Sequence, residues 1–392
     1  MNEVLIAGVG MTRFGKDLRR GERTMVAAVT DQALADAGIP ASGVQRVFAA
    51  NAAAGLVSGQ EMIRGQVALR DTALAGVPLV NVENACASGS SAVNLAYEVI
   101  LAGRCDVAVV VGVEKMSHED KARTFDALRG ATDVTTTGPR GDGGAPPKNS
   151  VFVEMYAHEA KRYLDTYDAT IEDFAAVAVK NRRHASLNPL AQYRQPQTLE
   201  EVLAARTVVD PLTLPMCSPT TDGAAAVVLC SASYARRHAT GRCAIRATRT
   251  AAGNGEDSRP VAAAALAAFE DAALGPGDLH LLELHDAAAP AEVLQYEEVG
   301  LCPPGEGHVL VRNGVTALGG RIPVNTDGGL MSRGHPIGAT GCAQLVELYD
   351  QLLGRAGGRQ VEGARVGMAV NAGGWLAGTY AAAVATILVK AG

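Results

Sequence analysis

The chain repeats itself, and that repeat constrains the fold more tightly than any single motif. One segment runs from a helical stretch at residues 26–37, through Ala37-Gly38-Ile39-Pro40, to an apolar strand at 44–50. A second runs from a helical stretch at 261–273, through Gly275-Pro276-Gly277, to a strand at 279–284. Ala50 and His285 therefore close equivalent strands. The echo continues. Val80-Asn81 leads through a Gly/Ser-rich turn into a helix with Ala92, Leu95, Ala96, Val99 and Ile100 on one face. Val324-Asn325 leads through a Gly-rich turn into a helix with Leu345, Leu348, Tyr349, Leu352 and Leu353. Both sets have the i, i+3, i+4, i+7, i+8 spacing of a buried helical stripe. Each helix meets a stopping glycine, Gly103 and Gly354, and strands at 107–111 and 366–370 follow. The strands are continuous apolar runs, so both faces of each sheet must be covered. The chain is thus predicted to be a duplicated α/β unit whose halves press their turn-then-helix elements face to face.

Between the halves, residues 117–218 are richer in charge, Tyr, Pro and Gly. They include a loop at 138–147 and helical stretches at 152–163 and 171–183. The strand signal returns at Asp222-Gly-Ala-Ala-Ala-Val-Val-Leu229. This predicts a first half of residues 1–116 plus 219–238, an inserted loop domain at 117–218 forming a lid, and a second half at 239–392. Length agrees, since 392 residues suit two or three domains.

Lys plus Arg total 35 against 41 Asp plus Glu, with both signs scattered. That argues against a nucleic-acid or anionic-membrane partner, which calls for a concentrated basic surface. No apolar run reaches the ~18–20 residues of a membrane span. Glu3 stands where a signal peptide would carry Lys or Arg. Seven cysteines, an odd number with no C-x-x-C pair, fit cytosolic thiols and no zinc site. A cytoplasmic protein is expected.

Four places carry chemistry. Cys86, in Asn84-Ala-Cys-Ala-Ser-Gly-Ser-Ser91, stands at a strand-to-helix turn. Unpaired N–H groups and the helix dipole there favour thiolate, moving the pKa from ~8.5 towards ~4–7 when a histidine helps. The plainer reading is a packing cysteine. His335, in Gly328-Gly-Leu-Met-Ser-Arg-Gly-His-Pro-Ile-Gly-Ala-Thr-Gly341, lies in the duplicate of that turn, so the fold would bring the two together. A histidine beside a cysteine is the base-and-nucleophile pair of acyl transfer. The glycines alone would fit a tight turn or a phosphate cradle, without the P-loop pattern. His285-Asp286 ends a strand at the same sheet edge, where a neutral imidazole could donate to an oxyanion or simply bond a neighbour. Asn371-Ala-Gly-Gly374 ends the last duplicated strand, where Gly373 could offer a backbone N–H. His118, His158, His184, His238, His280 and His308 show no metal-ligand spacing and read mostly as surface residues. His158, on a lid helix, is the exception. Cys105, Cys217, Cys230, Cys243, Cys302 and Cys342 read as packing residues.

These residues together resemble the thiolase superfamily over essentially the whole chain. The Cys86 turn, the Gly-His-Pro-x-Gly-x-x-Gly turn and the strand starting at Asp222 carry the likeness. Leu5-Ile-Ala-Gly-Val-Gly-Met-Thr-Arg-Phe-Gly15, Glu283-Leu-His-Asp286 and the run from Gly328 to Pro336 are most similar to sterol-carrier-type thiolases and their bacterial relatives. The resemblance implies a five-layered αβαβα thiolase fold and an acyltransferase acting on coenzyme A thioesters. It implies Cys86 as the acylated nucleophile, His335 as its base and His285 as an oxyanion donor. The backbone N–H groups of Cys86 and Gly373 would form a second oxyanion hole. No permanently bound cofactor and no metal are expected. The loop domain would hold CoA, and a homodimer would form through the first half.

Two departures stand out. Family members usually carry a second reactive cysteine, after His-Asp or at the head of Cys-x-Gly; here those positions are Ala287 and Asn371. Neither can act as a base near neutral pH. Either the acceptor is already activated, or His285 or His158 substitutes, or a small OB-fold partner is needed, as in relatives performing retro-aldol cleavage. Asn371 and His158 are accordingly accessory candidates. An aldolase-type relative and a non-catalytic acyl-CoA or lipid-binding subunit are the alternative readings.

Overall fold

A computed structural model describes residues 3–135, 149–238, 240–255 and 257–391, so the expected loop at 138–147 lies outside the described residues. The first half runs β1 (Val4–Met11), α1 (Glu22–Ala37), β2 (Arg46–Ala50), α2 (Ala54–Val57), α3 (Arg64–Leu69), β3 (Leu79–Val82), α4 (Ser88–Leu101) and β4 (Val107–Lys115). Next come α5 (Lys121–Arg129), α6 (Val151–Thr166), α7 (Ile171–Ser186), α8 (Leu199–Leu203) and a ribbon of β5 (Thr207–Val209) with β6 (Leu212–Thr213). These add no strand to the main sheet. Then β7 (Asp222–Ser231) and α9 (Ala232–His238) close the half. The second half is β8 (Cys243–Ala252), α10 (Pro260–Ala272), β9 (Leu281–Glu283), α11 (Ala289–Glu298), α12 (Gly307–Arg312), α13 (Gly329–Ser332), α14 (Thr340–Leu353), β10 (Val366–Leu376) and β11 (Thr379–Lys390).

The strand order, β3-β2-β4-β7-β1-β8-β11-β10-β9, displays the duplication. Read from the centre outward, β1, β7, β4 and β2 have β8, β11, β10 and β9 as twins. The twin of β3 is reduced to a bridge between Leu282 and Val324. The halves are not separate sheets, because Val4–Ile6 of β1 pair antiparallel with Cys243–Ile245 of β8.

The central strands β1, β4 and β7 are buried on both faces because helices cover both. Met25, Val26, Val29 and Ala33 of α1 bury one face of the first half. Val261, Ala264, Ala265 and Ala268 of α10 bury the outer face of the second. Between the two half-sheets lie α4 and α14, sharing one core with both. That gives the five layers of the expected fold. Contact between layers is tight: a Cβ on Gly8 would lie 2.3 Å from the Ala37 nitrogen, so α1 can approach β1 only over a glycine. The expected helix stops hold, with Gly103 at φ 70° and Gly354 at φ 72°.

Three expectations are corrected. The predicted strand at 279–284 shrinks to Leu281–Glu283, because Leu284 N–H leaves the ladder for Asn325 Oδ1 at 2.8 Å. Leu95, placed on the buried stripe of α4, is exposed, whereas α14 is buried on every side until its last turn. The difference follows from position, since α14 fills the middle and α4 flanks it. His184 and His308, read as surface residues, are buried. His184 bridges two segments, its ring nitrogens lying 3.0 Å from the Asn325 carbonyl and 3.0 Å from the Leu318 N–H. Burial drives its pKa down to about 3. No described helix is long and apolar enough to cross a membrane.

Candidate active site

The twin turns meet. Gly89 at the head of α4 and Gly341 at the head of α14 sit where backbones nearly touch; a Cβ on Gly341 would lie 2.3 Å from Ser90 N. Glu114, at the end of β4, fastens the contact by accepting N–H bonds from Ala52 and Ala53 on one side and Gly338 on the other. Cys86 and His335 are thereby brought together from distant parts of the chain. One ligand-type atom each from Cys86, His335 and His285 lies within 4.8 Å of the others. Three such donors are also a set that a zinc-like ion could bridge.

The Cys86 turn is strained and heavily bonded. Ala85 takes φ 46°, a left-handed conformation unfavourable for a residue with a Cβ. Asn84 N donates to Ser88 Oγ at 2.8 Å, and Asn84 Nδ2 to Ser91 Oγ at 3.0 Å. Helix α4 begins only at Ser88, with Ala87 as its cap, so Cys86 lies just outside the helix. Here the expectation of a depressed thiol pKa fails. Burial pushes the Cys86 thiol up to about 12, opposed only partly by the N–H groups of Gly374 and of Cys86 itself. Desolvation outweighs the helix terminus. The resting group is a neutral thiol.

Both imidazoles are buried and neutral. Burial lowers His285 to about 3, with the Arg333 guanidinium adding to the effect. His335 is held well below its ordinary value by burial, then by His285 and Arg333. Arg333 is itself fully buried and paired with Asp327. The rings of His285 and His335 stand 5.1 Å apart, edge to face. His335 N donates to Thr221 Oγ1 at 3.1 Å, and its Nδ1 lies 2.7 Å from Thr340 Oγ1. His285 is clamped by Gln295 of α11, which accepts from its N–H at 3.0 Å and donates to its carbonyl at 2.9 Å.

The group opens into a cavity of about 860 Å³. Gly373 lines it and packs against the Cys86 turn, where a Cβ would lie 2.5 Å from both Ala87 N and Asn84 O. Ala287 lines it too, with no sulfur to contribute. Asn371 lies behind His285, its Nδ2 3.0 Å from Nδ1. Along the cavity run Lys16, Lys121, Arg182 and Arg206, a basic lining suited to an anionic ligand. His158 is not part of this site: it is exposed and lines a separate cavity of about 550 Å³. The helical period turns it away while carrying Tyr156, two residues earlier on α6, into both cavities. Tyr156 and Tyr380 share the dividing wall, their hydroxyls 3.4 Å apart. Sequence reasoning missed both tyrosines, and also Thr221, Thr340 and Ser90. In a chain with only 4% aromatic residues, Trp375 meets the rings of both Tyr156 and Tyr380, and no sequence spacing marked that cluster.

Known proteins resemble this chain along nearly its whole length. The family model "Thiolase, N-terminal domain" matches residues 4–233, and "Thiolase C-terminal domain-like" matches residues 249–389. The chain belongs to the thiolase family. It is 38% identical over 382 residues to an acetyl-CoA acetyltransferase of Methanothermobacter thermautotrophicus, covering 95% of this chain and 97% of that protein. It is 35% identical to the benzoylsuccinyl-CoA thiolase subunit BbsB of Thauera aromatica, covering 92% and 91%. It is 34% identical to human sterol carrier protein 2, covering 95% of this chain and 70% of that longer protein. Among solved structures, the Ltp2-ChsH2(DUF35) aldolase superposes with TM-score 0.78 at 24% identity, covering 99% of this chain and 98% of that one. An acetyl-CoA acetyltransferase from Syntrophomonas wolfei superposes with TM-score 0.72 at 18% identity, each chain covered to 99%. Those two likenesses show the fold. Membership makes this thiolase-family chain a thiolase-type acyltransferase.

Proposed function

We propose that this chain takes an acyl group from a coenzyme A thioester onto Cys86 and passes it to, or receives it from, a carbon acceptor. The observation that carries this reading is the convergence of Cys86, His335 and His285 within 4.8 Å at the head of one cavity. His335 removes the thiol proton as sulfur attacks the thioester carbon. The charge arising on oxygen is met by the backbone N–H groups of Cys86 and Gly373. The carbon–sulfur bond to CoA then breaks, and CoA leaves with the proton held by His335. Because the thiol is neutral at rest, deprotonation and attack are concerted in effect. In the carbon–carbon step an acceptor that already carries its charge, as a stabilised carbanion does, attacks the acyl carbon and the bond to Cys86 sulfur breaks, while His285 donates to the acceptor thioester oxygen, a contact worth about 3 kcal/mol.

Residues 117–218 serve as the loop domain, placing Lys121, Arg182 and Arg206 along the path that the CoA phosphates would follow. A homodimer forms through the first half: β3 is an outer strand, and exposed Val80 and Leu95 leave apolar surface beside its open edge. Its seven cysteines are free thiols, which fits a reducing cytoplasm.

A second reading is favoured by Ala287 and Asn371. Without the usual second sulfur, the chain would act as an aldolase-type relative with an OB-fold partner, leaving Cys86 a bystander. Intact mass after incubation with short acyl-CoAs separates the two. An acyl increment that disappears in Cys86→Ser is expected. CoA binding with no increment would refute the acyl-transfer reading, and assay with a β-hydroxyacyl-CoA would then tell aldolase from a non-catalytic binder.

A further inference from the structure

The two imidazoles are chemically identical, yet their inner nitrogens have different neighbours. His335 Nδ1 lies 2.7 Å from Thr340 Oγ1. That hydroxyl has one proton, and the Pro336 carbonyl 3.1 Å away, which can only accept, is a partner for it. Its oxygen is left to accept, so His335 carries its proton on Nδ1 and keeps a lone pair on Nε2. His285 Nδ1 instead faces the Asn371 amide nitrogen at 3.0 Å, a group that can only donate. The amide is oriented from its other end, where Oδ1 accepts from Ser90 Oγ at 2.9 Å. A neutral His285 so placed keeps its lone pair on Nδ1 and its proton on Nε2.

We propose that Thr340 and the Ser90–Asn371 pair lock the two histidines in opposite tautomers, one a proton acceptor and the other a proton donor. Its catalytic meaning rests on the acyl-transfer reading: one ring relieves Cys86 of its proton while the other meets negative charge on a thioester oxygen. The reversed Asn371 amide could also be bonded. Its nitrogen would donate to Ser90, Ser90 to the Ala87 carbonyl 3.0 Å away, and His285 Nδ1–H to its oxygen. That arrangement would set two lone pairs beside one thiol and leave no imidazole N–H for the substrate. Asn371, where relatives carry a reactive cysteine, is therefore a positioning residue and not a proton carrier.

The test is a long-range ¹H–¹⁵N spectrum of the whole protein with ¹⁵N-labelled histidine, assigned with His285→Gln and His335→Gln. The expected result is His335 protonated on Nδ1 and His285 on Nε2. Asn371→Asp, nearly the same shape but unable to donate, should move the His285 proton to Nδ1 and leave His335 unchanged. It should also slow the carbon–carbon step roughly 100-fold and leave Cys86 acylation nearly unchanged. Ser90→Ala should give a mixture at His285 only. The proposal is overturned if both rings of the unmodified protein show the same tautomer, a result that does not depend on any variant folding. It is equally overturned if Asn371→Asp leaves the His285 signals in place. The spectrum needs no substrate, so opposite tautomers in a protein that never acylates would count against the acyl-transfer reading alone.

Discussion

The two strand-to-helix turns descend from one plan and are put to different uses. The first, Asn84 to Ser91, bears a left-handed alanine and holds a sulfur just ahead of α4. The second, Gly334 to Gly341, is glycine-rich and holds an imidazole ahead of α14, steadied by Thr221 and Thr340. The second half also supplies His285, so both imidazoles come from one half and the sulfur from the other. Helix α14 is buried almost throughout, whereas α4 keeps Leu95 exposed. A symmetrical backbone can thus carry an unsymmetrical site, because duplication fixes where the turns meet and substitution decides what each brings.

The strongest way to break this picture is to remove both contributions. Cys86→Ala and His335→Ala should each lower acyl transfer by roughly 1,000-fold or more, and the double variant should be scarcely worse than either alone. Multiplying losses in steady-state assays would mean the two residues do not act as a unit. Next in size is the contact itself. Gly341→Ala would drive a methyl group to 2.3 Å from Ser90 N. Chemical denaturation should show a loss of about 2 kcal/mol. Acylation of Cys86 should fall as the turns separate, and an unchanged midpoint would show that the turns do not press together. The smallest expected effect sharpens the comparison with relatives. Ala287→Cys returns a sulfur to the cavity and should raise thiolysis of acetoacetyl-CoA several-fold; vigorous thiolysis before the change would reveal a proton carrier elsewhere.

Much of this was legible in the sequence, for physical reasons. The layers follow from continuous apolar strands, which need cover on both faces, and the meeting of Cys86 with His335 follows from the duplication. The ionisation state of Cys86 was not legible, because it depends on how completely neighbours exclude water, and the helix-terminus argument points the other way. His158 misled because it lies on the right helix, two residues from Tyr156 but on a face the helical period turns away. Thr340 and Asn371 were obscure because a hydroxyl or amide that orients a ring has no spacing signature. Each matters only through the atom it faces across the fold.

The neutral thiol has one further consequence. Peroxides and alkylating agents attack thiolates, and a sulfur with its proton held on up to about 12 offers them almost none. The protein at rest therefore keeps the Cys86 sulfur chemically quiet, spared from sulfenic acid and mixed disulfides.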